Sequence, residues 1–336
     1  MPPTGKPLKL LTLNCHEAWI HQLGYLKGHL DIVDGLPNRQ PASWDTFARP
    51  VPEKGRLITL SEALAKGTSH DYDCLIAHNL SDLMDLKTLP GPRILVLHTT
   101  LDGRIRGSAP GGRSPEQIRE VMKQYLAMIG GHVVAVSRLK GQSWGALGDV
   151  VPFGADVNQY PPWRGEIAAG IRIANQITAK GAVLMWDFHE AAFGSLPVRL
   201  VGHNPDLAGV TPSKSWDDLK NLLASHRFFI HTAHPDLEDG YNMATLEAMA
   251  AGLPVLGNNH PSSPIKSGVS GFLSDDPLEL KARAEELLQD PERARNMGEA
   301  AKEAVRTKLS TQRFARSFRK SITTAQKKYR RFRFKK

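Results

Sequence analysis

Short apolar runs alternate with helix-length segments along most of this chain, and that alternation is its tightest constraint on fold. Leu8–Leu13, Asp73–His78, Arg93–His98 and His132–Val136 each read as a strand bounded by polar, Gly or Pro residues, the appearance of strands buried on both faces. Ser61–Lys66 opens a short helix after a Ser cap, and Ser114-Pro115-Glu116 caps a helix leading through Val121–Ile129. A second set runs from a strand at Pro197–Val201 to a capped helix over Ser215–Ser225, a strand at Arg227–His231, a helix over Met243–Ala251 closed by Gly252 and a strand at Leu253–Leu256. Helices over Pro277–Gln289 and Pro291–Lys308 follow. Strands alternating with helices specify parallel, doubly wound α/β sheets. At 336 residues the chain can hold two such Rossmann-like domains, each with its own core. Pro152–Trp163 lacks periodicity and reads as the linker, giving domains over 1–152 and 153–310 and a C-terminal helix and tail over 311–336. The stretch from Asp31 to Gly55 has no clear period and is left unplaced.

Composition removes several classes. Two cysteines, Cys15 and Cys74, exclude a disulfide scaffold and any cysteine-based zinc cluster. No run approaches the ~18 apolar residues of a spanning helix, and Met1–Pro7 has no apolar core of the kind a secretory signal needs. A cytoplasmic protein is expected. The net charge is +9, but it is not spread evenly. Eleven basic residues and no acidic ones lie between Arg313 and Lys336, leaving 32 basic against 34 acidic residues in the rest. The body is therefore near neutral, which argues against a nucleic-acid-binding fold and for a local basic device at one end.

Ligands of open α/β sheets bind beyond the carboxyl ends of the strands, so the residues just after strands are the ones to weigh. Between Met243 and Ala251 the one charged residue is Glu247. A helix so apolar is buried nearly all round, and a buried carboxylate is costly unless paired or hydrogen-bonded. The helix start follows a strand end, where free N–H groups and the positive dipole end suit an anion or a row of hydroxyls. One turn in, a carboxylate can accept both hydrogen bonds of a sugar diol. It can equally pair with a structural Arg, and physics alone leaves the two readings even.

The segment Asp239-Gly-Tyr-Asn-Met-Ala-Thr-Leu-Glu247-Ala-Met-Ala-Ala-Gly252-Leu-Pro254-Val255 resembles the donor-binding motif of glycosyltransferase family 4, whose pattern is E-G-F-G-x-x-x-x-E-A-M-A-x-G-x-P-V. Pro264–Leu273 resembles the family's P-E-x-x-x-x-G-x-x-G-x-L stretch, and Val150–Asp156 its V-I-P-N-G-V-D linker. The resemblance covers most of residues 130–310 well and the N-terminal part weakly. It implies the GT-B fold, with two Rossmann-like domains facing a central cleft and the last helix crossing back to the first domain. It also implies a retaining transferase acting on a nucleoside-diphosphate sugar as substrate, with no cofactor and no metal. Glu247 would hold the ribose, and Asp239, standing for the first Glu, would face the donor sugar. The backbone around Gly240, Tyr241, Asn242 and Met243 would contact that sugar and the phosphates. Asp for Glu and Asn242 for Gly are departures that change the donor-sugar pocket.

The family's diphosphate signature is G-R followed within a few residues by K-G. Here Gly170-Ile-Arg172 is followed at a wider interval by Lys180-Gly181, making Arg172 and Lys180 the cations that would neutralise the leaving diphosphate. Ser262 and Ser263 occupy the place of a Gly-rich loop and would donate hydroxyls to phosphate or make a turn. His98 resembles the His that follows the corresponding strand in the family; it would donate a hydrogen bond to a donor hydroxyl and orient the acceptor. His78 also ends a strand and is the weaker candidate. His16 and Glu17 would line the acceptor pocket, where a glycan, a lipid or a small molecule would sit, and Cys15 reads as a small buried residue. Trp186 and Trp216 read as core. Phe314, Phe318, Ile322, Ala325 and Tyr329 form one apolar stripe opposed by basic residues. Residues 327–336 interleave aromatics with cations; they suit an anionic membrane surface, nucleic-acid phosphates or a frayed, solvated end. A nucleotide-sugar epimerase and a non-catalytic sugar-nucleotide or polyanion-binding protein are the alternative readings.

Overall fold

The computed structural model describes residues 7–37, 39, 42–66, 71–106 and 112–334. Two compact units emerge: residues 1–153 together with 311–336, and residues 154–310.

The N-terminal domain opens with β1 (Lys9–Leu13), α1 (Glu17–His21), β2 (His29–Val33), β3 (Gly55–Ile58) and α2 (Leu60–Lys66). It continues through β4 (Cys74–Ala77), α3 (Leu80–Asp85), β5 (Arg93–Leu97), α4 (Leu101–Arg106), α5 (Pro115–Ile129), β6 (His132–Ala135), α6 (Arg138–Ser143) and β7 (Asp149–Val150). All seven strands run parallel in the order β3-β2-β1-β4-β5-β6-β7. The four strands expected from their apolar runs are present, trimmed by a residue or so at their ends. β2 and β3 flank the stretch that had no period. Asp31 sits inside β2 and interrupts its apolar run, because it accepts hydrogen bonds from Arg56 of β3 (3.1 Å) and from the Tyr72 hydroxyl (2.7 Å). Ser61 does not cap α2. Thr59 does, its hydroxyl accepting from the Glu62 N–H at 3.2 Å while the Glu62 carboxylate accepts from the Thr59 N–H at 2.7 Å. Ser114 caps α5 as expected, in a reciprocal capping box with Gln117.

The C-terminal domain comprises β8 (Ile167–Ile173), α7 (Gly181–Leu184), α8 (Trp186–Phe193), β9 (Val198–Val201), α9 (Trp216–Ser225) and β10 (His226–Ile230). α10 (Met243–Ala251), β11 (Val255–Gly257), β12 (Gly271–Leu273), α11 (Pro277–Gln289) and α12 (Pro291–Lys308) complete it. Its five parallel strands lie in the order β12-β11-β10-β8-β9. β8 escaped the sequence reading although it is an interior strand, between β10 and β9. Its three isoleucines are separated by Ala168-Ala-Gly170 and by Arg172, so no continuous β-branched run marks a strand, and Gly170 is there because the Phe228 ring of β10 occupies the space a β-carbon would need. Pro152–Trp163 is packed rather than loose: Phe153, Ala155, Val157, Tyr160 and Trp163 are all buried. Gly252 ends α10 at a φ of +89°, and a β-carbon on Gly298 of α12 would overlap the Gly252 carbonyl oxygen, so α10 and α12 cross with backbone against backbone. Trp186 and Trp216 are half-buried and not core; Trp186 stacks on His189 (4.8 Å), and Lys220 lies 4.5 Å over Trp216.

The last helix, α13 (Thr311–Arg333), belongs to the N-terminal unit. Its stripe is buried at Phe314, Phe318, Ile322 and Ala325, and Ser321 on the same face gives its hydroxyl proton to Asp149 at 2.7 Å. Residues 327–333 continue that helix and are not frayed; Lys335 and Lys336 lie outside the described residues. Among the described residues, no helix is long and apolar enough to cross a membrane.

Candidate active site

In the C-terminal domain the segment after β10 turns back on itself before α10 begins, and two histidines hold it. His231 Nε2 donates to the Asp239 carbonyl at 3.0 Å, and His260 Nε2 donates to the Glu238 carbonyl at 2.9 Å. Both rings are buried, and burial holds both pKa values down, that of His231 at about 4, so at neutral pH these are neutral donors. The Ser262 hydroxyl oxygen accepts from the Gly240 N–H at 2.9 Å and lies 3.4 Å from Asp239 Oδ1. A β-carbon on Gly240 would press on the His260 ring. Asp239, Gly240 and Ser262 are thus one interlocked unit with Asp239 fully buried. Sequence reading named those three and missed the two histidines; His231 directly follows β10, the position that drew attention to His98, and was open to the same argument. Ser263 makes a turn, its hydroxyl accepting from the Ile265 N–H at 3.3 Å.

Asn242 has a local reason for replacing Gly. It is the N-cap of α10, its side-chain oxygen accepting from the Thr245 N–H (2.9 Å) and the Thr245 hydroxyl (3.0 Å). Asn242→Ala should therefore cost about 1 kcal/mol of stability and Asn242→Gly only a few tenths, an order that urea denaturation of the three proteins will check. Met243 and Ala244 follow at the first turn, Tyr241 is buried beside it, and burial raises the Tyr241 pKa. Glu247 is only 5 % exposed, on a helix whose residues from Thr245 to Ala251 are all buried.

Arg172 and Lys180 differ in setting. Arg172, near the carboxyl end of β8, is 2 % exposed and gives one N–H to the Leu184 carbonyl at 2.7 Å. Its Nη1 is buried with no hydrogen-bond partner. Burial lowers its pKa to about 9, partly offset by Glu190, so it remains a cation at neutral pH and keeps one guanidinium nitrogen to offer. Lys180 is exposed and stands at the start of α7.

In the N-terminal domain His16, His78 and His98 follow β1, β4 and β5. His78 Nδ1 and His98 Nε2 are 2.9 Å apart, the rings of His16 and His98 stack at 6.1 Å, and Trp19 meets His78 and His98 edge-on at 5.2 and 5.1 Å. Burial holds His78 at about 3 and His98 well below the usual range. Glu17 accepts from the Asp45 N–H at 3.3 Å. Burial pushes the Cys15 thiol up to about 11, which leaves no thiolate for nucleophilic work at neutral pH.

The fold is GT-B, built of two Rossmann-like α/β domains. The structure of Alr3699/HepE from Anabaena, solved in complex with UDP and glucose, superposes over 94 % of this chain and 99 % of its own at a TM-score of 0.66 and 15 % identity. Sucrose-phosphate synthase from Thermosynechococcus elongatus does so over 93 % and 98 % (TM-score 0.66, 13 % identity). A glycosyltransferase from Rickettsia africae covers 96 % and 99 % (TM-score 0.64, 12 % identity). Residues 204–304, the stretch that holds Asp239 and Glu247, match the sequence model of the glycosyl transferases group 1. No curated protein matches the chain by sequence.

Proposed function

We propose that this chain is a retaining glycosyltransferase that moves a sugar from a nucleoside-diphosphate sugar to an acceptor hydroxyl by a front-face mechanism needing no metal ion. The observation that carries the proposal is Glu247, a carboxylate buried in the second turn of an otherwise apolar helix inside the matched stretch. In this reading its two oxygens accept from the ribose diol. The first turn of α10 and the backbone at Tyr241–Met243 receive the phosphates and the donor sugar, with Asp239 facing that sugar. The unpartnered nitrogen of Arg172 supports a diphosphate role, and exposed Lys180 would reach the same group. Their positive charge would stabilise the departing diphosphate, whose oxygen then takes the proton of the attacking hydroxyl. His98 would bind a sugar hydroxyl.

The UDP bound in the Anabaena structure makes uridine donors the first to try. A thermal-shift screen of nucleoside diphosphates and their sugars should find one base that stabilises the protein selectively, by about 2.7 kcal/mol at a hundred times its Kd. Product from that donor should keep the donor's anomeric configuration by NMR, with chelator present throughout. Failure of every nucleoside diphosphate to shift the transition would defeat the proposal, and an inverted anomer would defeat its retaining part.

A further inference from the structure

The histidines of the N-terminal domain form a directed chain. The Thr12 hydroxyl lies 3.3 Å from the Ile76 carbonyl and 2.8 Å from His78 Nε2, and His78 Nδ1 lies 2.9 Å from His98 Nε2. The hydroxyl has one proton, and a carbonyl can only accept. If Thr12 gives its proton to Ile76, its oxygen accepts from His78 Nε2–H, and the bare His78 Nδ1 accepts from His98 Nε2–H. All three contacts are then hydrogen bonds. With the opposite polarity Thr12 donates to His78 and His78 to His98, and the Ile76 contact is lost. In a buried site the arrangement that satisfies more groups prevails.

We propose that this relay fixes His98 as the neutral Nε2–H tautomer, so that its Nδ1 lone pair accepts a hydrogen bond from a substrate hydroxyl, with His78 as the positioning residue. The direction is the reverse of the donating role expected from sequence. The hydroxyl's identity rests on the glycosyl-transfer reading; the tautomer does not. Protonation of either ring is opposed by burial and, at His98, by His78, His16 and Lys140 nearby. Both rings also line a cavity of about 170 Å3 with Cys15, Asn79, Arg104 and Trp144.

The test uses the full chain labelled with 15N-histidine, without ligand, in long-range 1H–15N spectra between about pH 5 and 8, the range in which a free imidazole titrates. His98→Gln and His78→Gln assign the signals. Both rings should stay neutral with the proton on Nε2. A proton on His98 Nδ1, or a His98 ring that titrates in this range, overturns the proposal. His78→Gln should preserve the tautomer, because its amide oxygen can take the His98 proton while its NH2 faces Thr12. His78→Leu should give mixed His98 tautomers, with kcat down about tenfold and donor KM within about twofold, the loss of one ordinary hydrogen bond. Equal losses in the Gln and Leu variants would mean that His78 is a packing residue only. Wild-type protein with no transfer activity would count against the function, while the ligand-free spectrum would still decide the tautomer.

Discussion

Glu247→Ala should lower kcat/KM by at least about a hundredfold and remove most of the thermal shift given by the matching nucleoside diphosphate, while leaving a folded protein. The size follows from the bonds removed. Two hydrogen bonds to a charged acceptor contribute ~1.5–3 kcal/mol each, and ~1.4 kcal/mol is tenfold in rate or affinity. The size of the stability change separates this reading from its rival. A carboxylate kept chiefly for ligand should cost the empty protein only about 1 kcal/mol on removal, the loss of an ordinary hydrogen bond. A carboxylate that mainly pairs with a structural cation would instead leave that cation buried and exposed to the full desolvation penalty, ~3–5 kcal/mol. Glu247→Gln divides the effect further, since an amide keeps one acceptor and the shape. It should retain nucleotide binding better than alanine and still fall well short of wild type. Denaturation in urea, the thermal shift and steady-state transfer on the same three proteins decide the matter. Unchanged transfer in Glu247→Ala would remove the basis of the functional assignment.

How much of this was legible in the sequence depended on where each element's signal lay. Helices whose caps are their own residues were readable to the residue: Pro277–Gln289 with Asp276, Pro291–Lys308 with Asp290, Met243–Ala251 with Gly252 behind it. The apolar strands were found because burial on both faces writes itself as an unbroken run. β2 and β8 were missed because a charged residue breaks each apolar run from within, and in β8 Ala168–Gly170 interrupts it as well. Asp31 is held by Arg56 and Tyr72, and Arg172 by the Leu184 carbonyl. The site divides in the same way. Asp239 and Gly240 lie in a motif that chemistry and resemblance both marked, and Ser262 in a loop that resemblance marked; His231, at a strand end, was open to the argument that found His98, whereas His260 acts through a backbone carbonyl and follows no strand end or motif that would single it out. The His78–His98 pair spans two strands and their crossover, so no local pattern could announce it.

Phe318→Ala should destabilise the N-terminal domain by about 4 kcal/mol, within the range for deleting a buried aromatic ring, although it lies only 18 residues before Lys336. The reason is its neighbours. Phe318 is fully buried, its ring centroid is 5.7 Å from that of Trp19 and 5.6 Å from that of Phe314, and Trp19 touches both His78 and His98. A side-chain hydrogen bond from Arg319 to the Leu26 carbonyl ties the same turn of α13 to the segment after α1. The helix therefore supplies part of the wall behind the histidines, and its loss should be felt as packing rather than charge. Arg316→Ala and Lys320→Ala, two residues to either side on the exposed face, should stay within about 0.5 kcal/mol of wild type. Phe318→Leu, which refills most of the volume, should recover more than half of the loss. Urea denaturation followed by tryptophan fluorescence, read on the transition of the domain that carries Trp19, measures all four variants. A shift below about 1 kcal/mol for Phe318→Ala would mean that α13 is an appendage. A full-sized shift makes the basic helix a structural member of the domain, its cations displayed on a rigid face and not on a tail.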